Sequence, residues 1–407
     1  MTTTPGGPLG GVRVLELGSF IAGPFAGQLL GDYGAEVYKV EPPGDGDPMR
    51  QWGVTRDGES LWWPGIARNK RSVAIDLRDP RGRDVVADLM AEVDVVLENF
   101  RPGRLDEWGL GYDDIRERNP GVVYVHVSGF GQTGPRAAEA GFGSIGEAVG
   151  GIRFTTGNPD LPPTRAGISL GDSLAALFAV IGTMAALNER SHSGLGQEVD
   201  VAIYEAVAAL MESSMADYEI AGHLRRRTGS VLPGVAPSNV YPTADGSDII
   251  IAGNADAVFR RLCTAMGQPE LARDERFATH TQRGVHMDEL DEIIGAWTTE
   301  HSADALLDIL SDAGVPAGQI FTAAEMLTDP HYAAREMVVR HRNRAGVEIP
   351  MTGVVPKFSR TPGHVLGPGP LLGEHTRAAI EDLTSHTAEQ IDLLFADGVL
   401  AEPAGTH

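Results

Sequence analysis

The sequence predicts an α/β fold built on an open, largely parallel sheet with helices on both faces, and three observations carry that prediction. Short apolar runs alternate with segments of helical spacing between residues 12 and 128. The first strand, helix and strand fit within about thirty residues, the size of a parallel crossover unit. The texture then changes beyond residue 228, as expected for a second, smaller domain.

Residues 12–17 form the first apolar run and end at Gly18. Helical spacing follows over 25–33, and a second strand over 36–40. A strand over 72–77, a helix over 80–92 with Pro80 in its first turn, and a strand over 94–98 continue the alternation. A short helix over 112–118 and a strand over 122–128 complete it. Residues 129–151 are rich in glycine and alanine and read as loop. The segment 172–190 is apolar nearly all round, which predicts a buried helix. Residues 199–215 read as another helix. Residues 225–239 look like a linker, with a basic run before Gly, Pro and Ser. Asp245-Gly246 makes a turn ahead of a strand over 249–252, and helices are expected over 255–265, 287–298 and 302–313. The tail carries strands near Val338 and Val347 and a last helix from Thr387. Three segments result: 1–227, 228–325 for the smaller domain, and 326–407.

The 407-residue chain is 42% hydrophobic, enough for two domains with a sizeable core. Its formal charge of −23 argues against nucleic acid, which needs a basic face. The one cysteine, Cys263, allows no intrachain disulfide and fits a reducing, cytoplasmic setting. Residues 1–10 lack the charged and apolar regions of a signal peptide. The most apolar run, 174–187, is shorter than the roughly 20 residues of a membrane helix.

Asp172 heads the candidate chemistry, in Gly167-Ile-Ser-Leu-Gly-Asp172-Ser-Leu. By position it is a helix N-cap. A carboxylate at a helix N-terminus is also held ionised and oriented, as a covalent nucleophile must be. The same segment contains GxSxG around Ser169, but the expected cap at Asp172 leaves Ser169 ahead of the turn rather than on it. Gly129-Phe-Gly-Gln-Thr-Gly134-Pro has the spacing GxGxxG after a strand, yet Pro135 opens no helix, as a dinucleotide fingerprint requires. Lys70, Arg71, Arg78, Arg101 and Arg104 fall near the ends of proposed strands, where ligands of parallel sheets bind. The twelve histidines show no metal spacing, and His126 reads as a packed strand residue.

Several segments together resemble the class III CoA-transferases, the carnitine-dehydratase/bile-acid-inducible (CaiB/BaiF) family. They are Gly11-Val-Arg-Val-Leu-Glu-Leu, Ala22-Gly-Pro, Gly34-Ala-Glu-Val-Tyr-Lys-Val-Glu41, Asn69-Lys-Arg-Ser-Val, Val96-Leu-Glu-Asn-Phe-Arg-Pro-Gly103, Ser128-Gly-Phe-Gly-Gln-Thr-Gly-Pro135, Gly171-Asp172, Gly196-Gln-Glu-Val-Asp-Val-Ala-Ile-Tyr-Glu-Ala206, Gly314-Val-Pro-Ala-Gly318 and Leu372-Gly-Glu-His-Thr376. The match runs in order through nearly the whole chain.

The resemblance implies a Rossmann-like large domain made from both chain ends, a smaller domain from the middle, and an interlocked homodimer. It implies a CoA-transferase that takes CoA from an acyl-CoA donor, such as succinyl-CoA, to a small carboxylic or dicarboxylic acid. Asp172 matches the family's aspartate, which forms an anhydride and then an aspartyl-CoA thioester, with no metal. Ile75, Arg78, Asn99 and Phe100 match positions that hold CoA; Trp108 sits where a bulky apolar residue often lies, Arg104 is a candidate for the charge missing at 107, and both are counted as CoA-binding. Ile21, Pro42, Glu107 and Gly143 depart from the pattern of formyl-CoA transferase, which argues against formyl/oxalate exchange. Gly141-Phe-Gly143-Ser-Ile-Gly-Glu-Ala148 with Arg153 looks like the succinyl-CoA and small-dicarboxylate branch, and Arg153 or Arg165 is a candidate cation for a second carboxylate. The alternatives are an α-methylacyl-CoA racemase, which needs a proton carrier where Gly141–Gly143 stand, and a non-catalytic CoA-binding subunit of a heteromer.

Overall fold

The computed structural model describes residues 6–56 and 58–403; within the N-terminal stretch 1–10, residues 1–5 lie outside the described set. The chain forms two compact units. One comprises the residues up to Ile152, Ala166–Met215 and everything from His331 on; the other comprises Arg153–Arg165 and Ala216–Pro330. The first unit therefore draws on both chain ends. The second takes in more than the 228–325 suggested by composition.

The first unit is built on strands β1 (Arg13–Glu16), β2 (Glu36–Glu41), β3 (Lys70–Ile75), β4 (Val95–Glu98), β5 (Val123–Ser128) and β6 (Glu198–Ala202). All six run parallel in the order β3-β2-β1-β4-β5-β6, and the short strand Leu400–Ala401 adds antiparallel beside β3. The crossovers contain helices α1 (Ala22–Asp32), α2 (Pro80–Ala91), α3 (Tyr112–Arg118), α4 (Gly143–Val149) and α5 (Leu170–Ser193). Helix α6 (Ile203–Ala208) follows β6 directly. Strand order reverses between β1 and β4, and the crevice beyond the carboxyl ends of those strands is where such a sheet receives a ligand.

Each face of the sheet has its own core. Val14, Val37, Leu97 and Val125 pack with α1 and α5 on one side. Leu15, Tyr38, Val73, Val96 and Tyr124 pack with α2 and the C-terminal helices on the other. Alternate strand residues thus feed opposite cores, which is why the strands read as continuous apolar runs.

Three expectations are overturned. The stretch 129–151 is not all loop, since residues 143–149 form helix α4. Residues 199–215 are not one helix: Val199 and Val201 pair with Val125 and Val127 as the sixth strand, and two short helices, Ile203–Ala208 and Ser214–Ala221, follow. The run of small apolar residues hid a period of two inside an apparent period of 3.6. Helix α5 is also longer than the 174–187 run implied. By length and composition alone it meets the measure of a membrane span, with mean hydropathy 1.8 over 18 residues. It nevertheless packs on the sheet, where Ala175, Ala176 and Ala179 are fully buried.

The second unit has a three-stranded antiparallel sheet of β7 (Ser238–Pro242), β8 (Asp248–Ala252) and β9 (Ala317–Gln319), with β8 central. Helices Asp256–Ala265, Met287–Thr298 and Ala303–Asp312 cover it around Phe259, Phe277, Leu290 and Leu306.

Candidate active site

At the switch point, the loop after β1 meets the loop after β4 through Asn99. Its amide donates to the Ser19 carbonyl and accepts from the Ser19 N–H, both at 2.8 Å. Gly18 allows this approach, since an added Cβ would lie 3.2 Å from Asn99 Oδ1. Asn99 therefore spends its amide on joining the two loops, and Phe100 and Trp108 follow it, half-buried against the sheet core. Their rings meet edge to face at 5.8 Å, and the Arg104 guanidinium sits 5.4 Å from the Trp108 centroid. Arg104 is also ion-paired to the exposed Glu107 at 2.8 Å. Phe100, Arg104 and Trp108 are thus brought together as one aromatic–cation platform.

The other expected CoA contacts lie further along the sheet. Ile75 ends β3 with its side chain buried, so what it can offer a ligand is backbone. Arg78 is exposed and held by a bidentate contact to Asp76 at 2.8 and 2.9 Å. Lys70 does not stand at a carboxyl end at all. It opens β3 and is sealed in the core, 2.7 Å from Glu16.

That pair belongs to a buried charge cluster that sequence reading missed. Lys39 reaches Glu16 and Asp47, each at 2.8 Å, and donates to the Gly18 carbonyl. Asp47 accepts from the N–H of Phe20, which carries φ of 62° just beyond β1. Burial lowers the Lys70 ammonium to about 8 despite Glu16. Burial opposes ionisation of Glu16 too, but the two lysines outweigh it and hold the carboxyl below its ordinary range. The available signal was charge inside apolar strands, as in Leu15-Glu16-Leu17 and Tyr38-Lys39-Val40-Glu41.

Asp172 is not the cap of α5. Ser169 occupies the N-cap position, without a capping bond from its side chain, and Asp172 lies in the first helical turn. There the exposed N–H groups and the helix dipole favour a carboxylate. The correction also moves Ser169 onto the turn, but residues 162–169 form no strand, so the strand-to-helix elbow of a serine hydrolase is absent. Asp172 faces the first residue of α4: a Cβ at Gly143 would fall 2.3 Å from Asp172 Oδ2. Gly171 packs as closely on α4, its N–H donating to the buried Glu147 at 3.3 Å. The two helix starts therefore meet through glycine, with the carboxylate close against the backbone of Gly143.

The loop 129–135 holds its own amides. Gly131 N–H donates to Ser128 Oγ and Gln132 N–H to Asp200, and no helix begins before Gly143. These two donors are not displayed for a phosphate. Arg153 and Arg165 lie in the second unit. Among the described residues, no group of three or more His, Cys, Asp or Glu side chains could hold a metal ion.

A Rossmann-ordered sheet with a crevice at its reversal point and an aspartate in the first turn of a buried helix defines a ligand-binding α/β protein with a positioned carboxylate. Residues 9–376 match the family model described as CoA-transferase family III. The chain is 58% identical to a succinyl-CoA–D-citramalate CoA-transferase of Chloroflexus aurantiacus, over 97% of this chain and 99% of that one. It is 39% identical to a succinate–glutarate CoA-transferase of Agrobacterium fabrum, over 92% and 96%. The crystal structure of a CaiB/BaiF family protein from Brucella suis superposes with a TM-score of 0.82 at 36% identity, over 93% and 99%. The chain belongs to CoA-transferase family III. It is a CoA-transferase, with acyl-CoA as a substrate.

Proposed function

We propose that the protein transfers CoA from succinyl-CoA to a small dicarboxylic acid of the citramalate type, with Asp172 as the covalent carrier. The observation that carries the mechanism is the placement of Asp172 in the first turn of α5, with its carboxylate seated over the Cα of Gly143 at the start of α4. The substrate pair rests on the 58% identical relative and its name.

A carboxylate oxygen of Asp172 attacks the thioester carbonyl of the donor, and CoA leaves as the thiolate, giving a mixed anhydride. The thiolate attacks the aspartyl carbonyl and expels the donor acid, leaving aspartyl-CoA. The acceptor carboxylate displaces the thiolate from this thioester. The thiolate then attacks the acceptor's carbonyl and regenerates Asp172. CoA lies in the switch-point crevice, on the Phe100–Trp108 platform, with Arg104 and Arg78 for its phosphates, Asn99 shaping the loop and the Ile75 backbone at its edge. The Gly141–Gly143 segment offers no proton carrier, which disfavours a racemase.

The working form is a cytoplasmic homodimer. Leu177, Ile181 and Met184 support this, since they expose one apolar stripe along α5.

Asp172→Asn tests the mechanism. Transfer from succinyl-CoA to citramalate is expected to fall by at least about 10³-fold with CoA binding retained, as for loss of a covalent nucleophile. Hydroxylamine added with donor alone should inactivate the wild type by trapping the acyl-aspartate, and leave the variant untouched. Unchanged transfer in Asp172→Asn would refute the assignment. Acceptor choice is read by offering citramalate, malate and glutarate side by side.

A further inference from the structure

His126 lies between two carboxylates, on the strand next to the edge of the sheet. It sits on β5, with Nδ1 2.6 Å from Glu98 Oε1 on β4 and Nε2 3.2 Å from Glu198 Oε1 on β6. A neutral imidazole has one N–H, whereas both ring nitrogens here face carboxylate oxygens, so with both carboxylates ionised the arrangement is complete only for the imidazolium. The second oxygen of Glu98 accepts the Phe100 N–H at 2.6 Å. A continuous chain of polar contacts thus runs from half-exposed Glu198, through buried His126 and Glu98, to the backbone of the crevice residue Phe100.

We propose that His126 is a positioning residue for acyl-CoA, fixing the Phe100–Trp108 platform through Glu98 and coupling CoA affinity to its own protonation. The proposal rests on CoA lying on that platform. Protonated His126 neutralises Glu98 and directs its free oxygen at the Phe100 amide. On deprotonation, Glu98 is a buried carboxylate without its counter-charge, and the loop carrying Phe100 loses its fixed anchor.

The surroundings support the direction. Burial alone would lower the pKa of His126, but the bond and charge of Glu98, followed by Glu198, outweigh it and raise it. Burial raises Glu98, and His126 partly offsets this. Tyr124 lies against the imidazole, with ring centroids 4.8 Å apart. Asp106 adds negative charge near Glu98, and Asp106 and Asp114 do so near Tyr124. Asp200, level with His126 on β6, is turned to the Gln132 amide. For a histidine with a raised folded pKa, the interaction is fully present below the ordinary value and is lost as pH rises through the folded one. CoA binding should weaken over that window.

The test measures the dissociation constant of CoA on the full-length protein across pH 5.5–9.5, with KM and kcat beside it. His126→Phe should weaken CoA about tenfold, the size of one lost charge-assisted contact, and flatten the pH profile while kcat at saturation holds. Glu198→Gln should move the wild-type inflection to lower pH, an effect that mere packing would not produce. If His126→Phe does not fold, this surface substitution decides alone, and an unmoved inflection overturns the proposal. Phe100→Ala separates the two levels. Wild-type CoA affinity in Phe100→Ala would show that CoA does not use the platform and would overturn both readings. Weakened binding there, with wild-type affinity and pH profile in His126→Phe, would overturn the role of His126 alone.

Discussion

At the residue scale the site depends on what Gly143 lacks. The Asp172 carboxylate occupies the space a Cβ would take, so Gly143→Ala must push the carboxylate or part the two helix starts. A contact of 2.3 Å lies far inside van der Waals separation, and misplacing a reacting group by about 1 Å can cost on the order of 10²-fold in rate. Gly143→Ala is therefore expected to lower kcat by about that factor, with a much smaller change in KM for acyl-CoA; steady-state kinetics checks it. An unchanged kcat would mean that Asp172 works in another rotamer. This dependence was partly legible beforehand. Gly143 stood out as a departure from the formyl-CoA transferase pattern, but nothing in the spacing of residues 143 and 172 places one against the other.

At the element scale, strands β1, β2 and β3 share a buried set of charges that reaches the loop at the switch point. Glu16 is balanced by Lys39 and Lys70, and Lys39 in turn by Asp47. Lys70→Met leaves the buried Glu16 with only Lys39, and removing one partner of a buried pair costs about 3–5 kcal/mol. Urea unfolding of Lys70→Met should show a loss near the lower end, because Lys39 remains. The double variant Lys70→Met with Glu16→Gln should recover part of it, and strictly additive losses would argue against coupling. The same scale shows where sequence periodicity failed. Val199 and Val201 alternate as a strand requires, but the alternation is too short to stand out from the apolar residues after it, and pairing with β5 in register is what reveals it.

For the whole molecule, the apolar stripe Leu177, Ile181 and Met184 sits on a helix otherwise seated in the core. Positions four and three residues apart line one face of a helix. The proposed homodimer would cover such a face on a protein carrying a formal charge of −23. Light scattering should give twice the 43.2 kDa chain mass at micromolar concentration. Ile181→Glu should shift the species toward the monomer, and a wild-type monomer would remove the dimer from the proposal.

Alternating apolar runs are enough to specify parallel crossovers, since strands buried on both faces and their covering helices differ in period and length. Hence the α/β class, the helix over 112–118 and the aspartate at the start of α5 were readable from the chain alone, as was the resemblance to the CoA-transferase family. Contacts between residues distant in sequence were not. That Lys70 turns inward to Glu16, and that His126 lies between Glu98 and Glu198, follow from strand order and register. Local pattern fixes which faces are apolar; which polar groups meet beneath them depends on how the faces are brought together.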